Sequence, residues 1–312
     1  MIRKTMNPLD WGLLILLSIV WGGSFFFVQI GVQAVPPLTL VALRVSIAAV
    51  ALWPLVLIRR FHVELTWQIW VAFLVMGVLN NVIPFTLFSF AQREIASALA
   101  AILNATTPLF TILVASIFLA DERATWLKII GVAIGFVGIA IMIGADLVGT
   151  DVLAKSTAAL LAQFACLAAA FSYALSGAWG RRFQRYGIHP MLPAVGQLTC
   201  SSLVLWPIAL FYDGFGHALG AFTGMLAPAP LYAILALALV STSFAYVIFF
   251  RLLATVGATN LLLVTFLVPV TASILGIVFL GEQLTLTDLL GILLIGLGLS
   301  AIDGRLWRKA AK

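Results

Sequence analysis

Charge is what this 312-residue chain has least of: 9% of its residues are Asp, Glu, Lys or Arg, against about 25% in a soluble globular domain. Hydrophobic residues make up 63% and the mean hydropathy is +1.17. So few charged side chains cannot cover a water-soluble body of 33.5 kDa, which excludes a cytosolic enzyme, a secreted scaffold and a disordered tail. Cysteine is nearly absent too. Cys166 and Cys200 both lie in apolar runs, so the chain has neither a disulfide framework nor a metal cluster to draw on. The net charge of +6 comes from basic residues scattered in ones and twos, without the stripe that nucleic acid requires. What remains is an integral membrane protein.

Hydrophobic runs are plentiful. A membrane helix needs about 20 apolar residues, because the hydrocarbon core is roughly 30 Å thick and each residue rises about 1.5 Å. Ten runs meet this, near 11–32, 37–58, 67–89, 95–119, 126–144, 157–180, 190–211, 230–250, 258–280 and 285–302. They are apolar all round rather than alternating, which selects helices over a membrane barrel. The first run follows Arg3 and Lys4 but is too long for a signal-peptide core, and Trp21 and Phe25 to Phe27 stand where cleavage would fall, so it is read as a retained helix. With the N-terminus placed in the cytoplasm, 14 basic residues fall on the inner side, Arg93 and Lys155 fall outside, and Arg44 lies within a span. That asymmetry predicts both termini inside, in the plasma (bacterial inner) membrane.

The chain also repeats. Pro37 matches Pro190, and Trp53-Pro54 matches Trp206-Pro207, at a shift of 153. Phe88 matches Phe249, and Pro108 matches Pro269, at 161; Glu122 matches Glu282, Gly131 matches Gly291 and Gly138 matches Gly298, at 160. The halves are residues 1–150 and 151–312, five spans each. Five is odd, so the second half enters the membrane with opposite polarity. Inverted repeats of this kind mark secondary transporters, with the substrate between the halves near the midplane.

Particular residues sharpen this. A first helix ending in Trp21-Gly-Gly-Ser24, then Pro37 and Leu43-Arg44, then Asn104-Ala-Thr-Thr-Pro108 leading to Asp121-Glu122, and a Gly131/Gly135/Gly138 helix resemble EamA-type carriers of the drug/metabolite transporter superfamily. Pro269 and Gly281-Glu282 repeat part of the pattern in the second half. The resemblance covers nearly the whole chain. It implies an all-α fold of ten transmembrane helices in two inverted five-helix repeats, and export of small metabolites, often amino acids; within the family it leans toward YddG-like aromatic amino-acid exporters.

Proline within a membrane helix frees a carbonyl, which is tolerated where it faces a cavity or a partner. Pro84, Pro108 and Pro269 are therefore expected hinges. Beside them stand Asn80, Asn81, Asn104 and Thr107, and at repeat-related positions Ser241 and Thr242. These are expected to line a substrate pathway, although such side chains also join helices to one another. Trp21, Phe85, Phe171, Tyr173 and Tyr246 are candidates for an aromatic lining, against the alternative of packing or an interfacial belt. Arg44 is the ionisable residue clearly inside a span, where arginine costs about 2.5–3.5 kcal/mol on insertion scales. Its repeat counterpart is Gln197; a structural anchor is favoured over a clamp for a substrate carboxylate. Gly131, Gly135 and Gly138 with Gly291, Gly296 and Gly298 suit close packing between the halves or in a homodimer. Glu122 and Glu282 are expected to cap helices.

No phosphate-binding glycine loop is present, no carboxylate lies mid-span, and His62, His189 and His217 fall at helix ends or in loops. ATP drive and proton coupling are therefore unsupported. The expectation is facilitative transport of a neutral or zwitterionic small molecule by alternating access, with no cofactor and no metal. The alternatives are a channel-like pore or an exporter of other hydrophobic metabolites or drugs. An intramembrane enzyme lacks the constellation it would need.

Overall fold

The computed structural model describes residues 6–59, 66–118, 125–148, 155–216, 220, 227–261 and 263–303. Among these residues there is no β-strand, as an apolar surround that cannot hydrogen-bond the backbone demands. Eight helices are long and apolar enough to cross a membrane. They are α1 (Pro8–Ala34), α2 (Pro37–Ile58), α3 (Trp67–Ala91), α4 (Ser97–Phe118), α5 (Trp126–Gly144, continuing to Val148), α6 (Thr157–Gly180), α7 (Met191–Tyr212) and α8 (Pro228–Gly257). Two further apolar helices, α9 (Val264–Leu280) and α10 (Leu286–Asp303), are shorter, at 17 and 18 residues. The ninth run is expected to start near 258. The chain leaves helical geometry just before that point, at Gly257 (φ 76°, ψ 168°), turns helical again up to Leu261, and α9 begins at Val264. Only glycine accepts that conformation readily.

Local chemistry sets the other boundaries. Asn7 and Asp10 form a reciprocal capping box at the start of α1, satisfying donors that the first turn leaves free. The carbonyl of Asn104 cannot bond Pro108, which has no N–H. The Thr107 hydroxyl donates to it instead at 2.7 Å, and α4 breaks there into Ser97–Asn104 and Thr107–Phe118. Both α3 and α8 contain a π-helical stretch, Val78–Val82 and Ala236–Phe244. The first ends just before Pro84. In the second, Thr242 and Ser243 donate hydroxyl bonds to the carbonyls five residues back, Leu237 at 2.8 Å and Ala238 at 3.0 Å. Widened turns of this sort gather at functional sites.

The main helix pairs are α5 with α10, α1 with α9, α4 with α6, α2 with α7, α3 with α6, α1 with α8, α3 with α7, α2 with α8 and α4 with α9. Every pair joins one of the first five helices to one of the last five. Exchanging each helix for the one five places along returns the same set. Side chains obey the same exchange: Trp206 Nε1 donates to Ser46 Oγ at 2.9 Å, and Trp53 Nε1 donates to Thr199 Oγ1 at 3.1 Å. Between α5 and α10, a Cβ on Gly131 would meet the Gly298 carbonyl and one on Gly138 the Gly291 carbonyl. Most of the glycine stripe thus makes close contacts within the chain. Gly135 packs on Leu109, and Gly296 faces open space. Large apolar side chains such as Leu161, Phe164, Leu203, Phe211 and Phe279 remain exposed on the outer flanks, as a lipid-facing surface requires.

Candidate functional site

A cavity of about 600 Å³ lies between the halves, within the roughly 300–1,000 Å³ range of small-molecule sites. All the long helices except α5 and α10 contribute to it. Its aromatic wall comprises Trp21, Phe85, Phe88, Tyr173, Tyr246, Phe249 and Phe250. Trp21 packs on Phe249 with ring centres 5.6 Å apart, and Phe88 stacks on Tyr173 at 6.3 Å. One end reaches Arg181, Phe183, Ile188 and Pro190, in the connection between α6 and α7.

A polar cluster occupies one side. Asn80 Nδ2 donates to Gln197 Oε1 at 3.1 Å and to the Tyr246 hydroxyl at 3.2 Å. Ser176 Oγ donates to Asn80 Oδ1 at 3.1 Å, and Gln197 Nε2 donates to the Tyr246 hydroxyl at 3.3 Å. Arg44 faces the same space, 7% exposed. Its Nε donates to Thr242 Oγ1 at 3.0 Å, and its guanidinium lies 3.6 Å from the centre of the Phe85 ring, a cation–π distance. Among the described residues no Asp or Glu lines the cavity.

Gln92 closes the opposite end. Its Nε2 donates to the Phe25 carbonyl at 2.7 Å and to Gln29 Oε1 at 3.2 Å. Phe25 meets Phe88 edge-on at 5.4 Å. Beyond this layer lies a second cleft of about 620 Å³, bordered by Gln29, Gln33, Arg93, Glu94 and Glu282. At that end a carboxylate from the second half covers each of two helix starts in the first. Glu282 accepts from the backbone N–H of Ser97 and Ala98 at 2.8 and 3.0 Å; Asp213 Oδ2 accepts from the Thr39 N–H and hydroxyl at 2.9 and 2.6 Å. Glu282 thus caps α4 rather than its own neighbours in sequence. Its repeat mate Glu122 lies outside the described residues.

Of the residues singled out from the sequence, Trp21, Arg44, Asn80, Phe85, Asn104, Thr107, Tyr173, Ser241, Thr242, Tyr246 and Pro269 line the cavity. Asn81, Pro84, Pro108 and Phe171 do not. Asn81 is fully buried, donating to Ser201 Oγ at 3.1 Å and accepting from the Tyr246 hydroxyl at 3.3 Å. Phe171 is 43% exposed and packs on Phe110 at the flank. It stands two residues from Tyr173, about 200° around a helix, so the two rings cannot share a face. Sequence reasoning passed over Phe88, Gln92, Ser176, Phe249 and Phe250. Their signal was present: Phe88 follows Phe85 by three, and Phe249 and Phe250 follow Tyr246 by three and four, the spacing of one helix face.

A chamber walled by both halves of an apolar helix bundle, sealed toward one end, is the architecture of a membrane transporter. The chain belongs to the EamA-like transporter family, which it matches over residues 11–144 and 160–302; the family consists of transporters, not enzymes. It is 24% identical over 287 residues to the uncharacterized transporter YoaV of Bacillus subtilis (strain 168), covering 92% of this chain and 94% of that one. It is 29% identical to a protein of Escherichia coli (strain K12) named a probable amino-acid metabolite efflux pump, covering 98% and 99%. A crystal structure of a protein 18% identical superposes with a TM-score of 0.65 over 96% of this chain and 97% of its own, a likeness of fold.

Proposed function

We propose that this protein is a secondary carrier exporting small neutral or zwitterionic metabolites, amino acids first among them, by alternating access through the central cavity. In this reading α9 and α10 complete ten spans in two inverted repeats, both termini are cytoplasmic, and the membrane is the bacterial inner membrane. The observation that carries it is the cavity, walled reciprocally by both halves and sealed at the Gln92 end. Two similar halves that pack on each other by the same contacts can exchange conformations, opening the chamber alternately to each side. The family match, the name of the Escherichia coli relative and the 14-to-2 split of basic residues support the same reading. The sealed layer favours a carrier over a pore, and a lining without Asp or Glu among the described residues favours facilitative movement over proton coupling.

Counterflow in proteoliposomes tests this. Purified protein loaded with unlabelled amino acid is expected to draw in the labelled compound transiently above equilibrium, with saturable rates. Flux proportional to concentration without counterflow indicates a pore, and accumulation driven by a pH step would overturn the facilitative mechanism.

A further inference from the structure

Arg44 is held by two contacts that leave its most useful atoms free. Thr242 takes Nε, and the Thr242 hydroxyl in turn donates to the Leu237 carbonyl at 2.8 Å, which fixes the direction of its lone pairs. Phe85 covers one face of the guanidinium. Neither contact uses the two terminal NH₂ groups. Among the described residues no carboxylate pairs with Arg44, although the side chain is buried and lines the cavity. A cation taken out of water without a counter-ion is unfavourable, and a planar carboxylate bound through two parallel N–H···O bonds restores the balance. Among the described residues the lining contains a second cation, Arg181, toward the α6–α7 end, and no acidic side chain. An ammonium group entering with the ligand therefore meets no opposite charge. The amide oxygens of Asn80 and Gln197 already accept from Ser176 and Asn80.

Building on the reading of this cavity as the substrate site, we infer that Arg44 is a carboxylate clamp, and that the cavity recognises organic monocarboxylates with an aromatic or branched apolar body, for which an α-ammonium is not required. The acid end sits on the terminal guanidinium nitrogens. The body lies among Trp21, Phe88 and Phe249. Thr242 and Phe85 are positioning residues that hold the guanidinium plane. The clamp narrows the proposed substrates to carboxylates and extends them to acids that lack an amine.

Equilibrium binding to the purified full-length protein in detergent, with four probes sharing one aromatic body, tests this. Phenylalanine and 3-phenylpropanoate are expected to bind within about tenfold of each other, and phenylalaninamide and phenethylamine at least about tenfold more weakly. Arg44→Gln should weaken both acids by about tenfold or more while leaving the amide within about threefold. Equal binding of acid and amide by the unaltered protein, an unchanged acid affinity in Arg44→Gln, or no binding of either acid would overturn the clamp. Should Arg44→Gln not fold, Thr242→Val retains the charge and loses the anchor. Its acid-to-amide preference should fall several-fold, and an unchanged preference would again overturn the proposal. Binding needs no transport, so the two readings separate: Arg44-dependent binding without counterflow leaves the clamp standing and removes the carrier.

Discussion

Asn80 and Asn81 are chemically identical neighbours in the π-helical stretch of α3, and the difference in their directions gives them different tasks. Asn80 borders the cavity, whereas Asn81 has no exposed surface and joins α3 to Ser201 of α7 and Tyr246 of α8. Asn81→Ala leaves the Tyr246 hydroxyl and Ser201 short of a partner, and is expected to cost about 1–2 kcal/mol, read as a lower thermal midpoint in detergent with flux per folded molecule largely kept. Asn80→Ala should instead change the KM of transport. The same logic separates Phe171 from Tyr173. Phe171→Ala, at the exposed flank, is expected to leave flux within about twofold, whereas Tyr173→Ala removes a ring stacked on Phe88 and lowers it clearly. A similar loss from both variants would place the pathway elsewhere. Residue types and spacing nominated all four side chains, of which Asn80 and Tyr173 border the cavity. They could not rank Asn80 over Asn81, because a π-helical stretch covers both and shifts the register of the helix.

At the scale of elements, the cavity helices are set against α5 and α10, which take no part in the lining and are joined by glycine. A Cβ at Gly298 would strike the Gly131 carbonyl and crowd the Gly135 backbone, which cannot yield as a flexible side chain would. Gly298→Val is therefore expected to destabilise the fold by about 1–3 kcal/mol, measured by thermal unfolding, whereas Gly296→Val, facing open space, should be nearly neutral. The helix starts offer a second test. Ser97 and Ala98 lie in the first turn of α4, whose N–H groups have no partner within the helix, and Glu282 supplies one from the other half. Glu282→Ala should cost about 1 kcal/mol and loosen the sealed end. A variant with unaltered stability and kinetics would show that water replaces the carboxylate without loss. The sequence marked Glu282 as a capping residue but not the helix it caps, because that partner lies 185 positions away.

For the whole molecule, the ordering of charge makes topology testable. Cys166 and Cys200 are both buried, so their replacement provides a background for single-cysteine labelling. A membrane-impermeant maleimide added to intact cells is expected to label Arg93→Cys, which is exposed, and to label Arg308→Cys only after the membrane is permeabilised. The reverse pattern would overturn the proposed orientation.

Composition alone determined that this chain belongs in a membrane, since 28 charged residues in 312 cannot hydrate a soluble surface. The repeat shifts carried more. They pair Trp53 with Trp206, and the indole hydrogen bonds of both tryptophans, to Thr199 and Ser46, follow the same exchange, because reciprocal packing requires equivalent residues at equivalent depths. Two things waited for the tertiary structure. One was which face of each helix turns inward, an angle that a uniformly apolar helix does not encode in its hydrophobic pattern. The other was the surroundings of Arg44: its partners Phe85 and Thr242 come from two other helices, and only their convergence shows a buried guanidinium that lines the cavity and, among the described residues, pairs with no carboxylate.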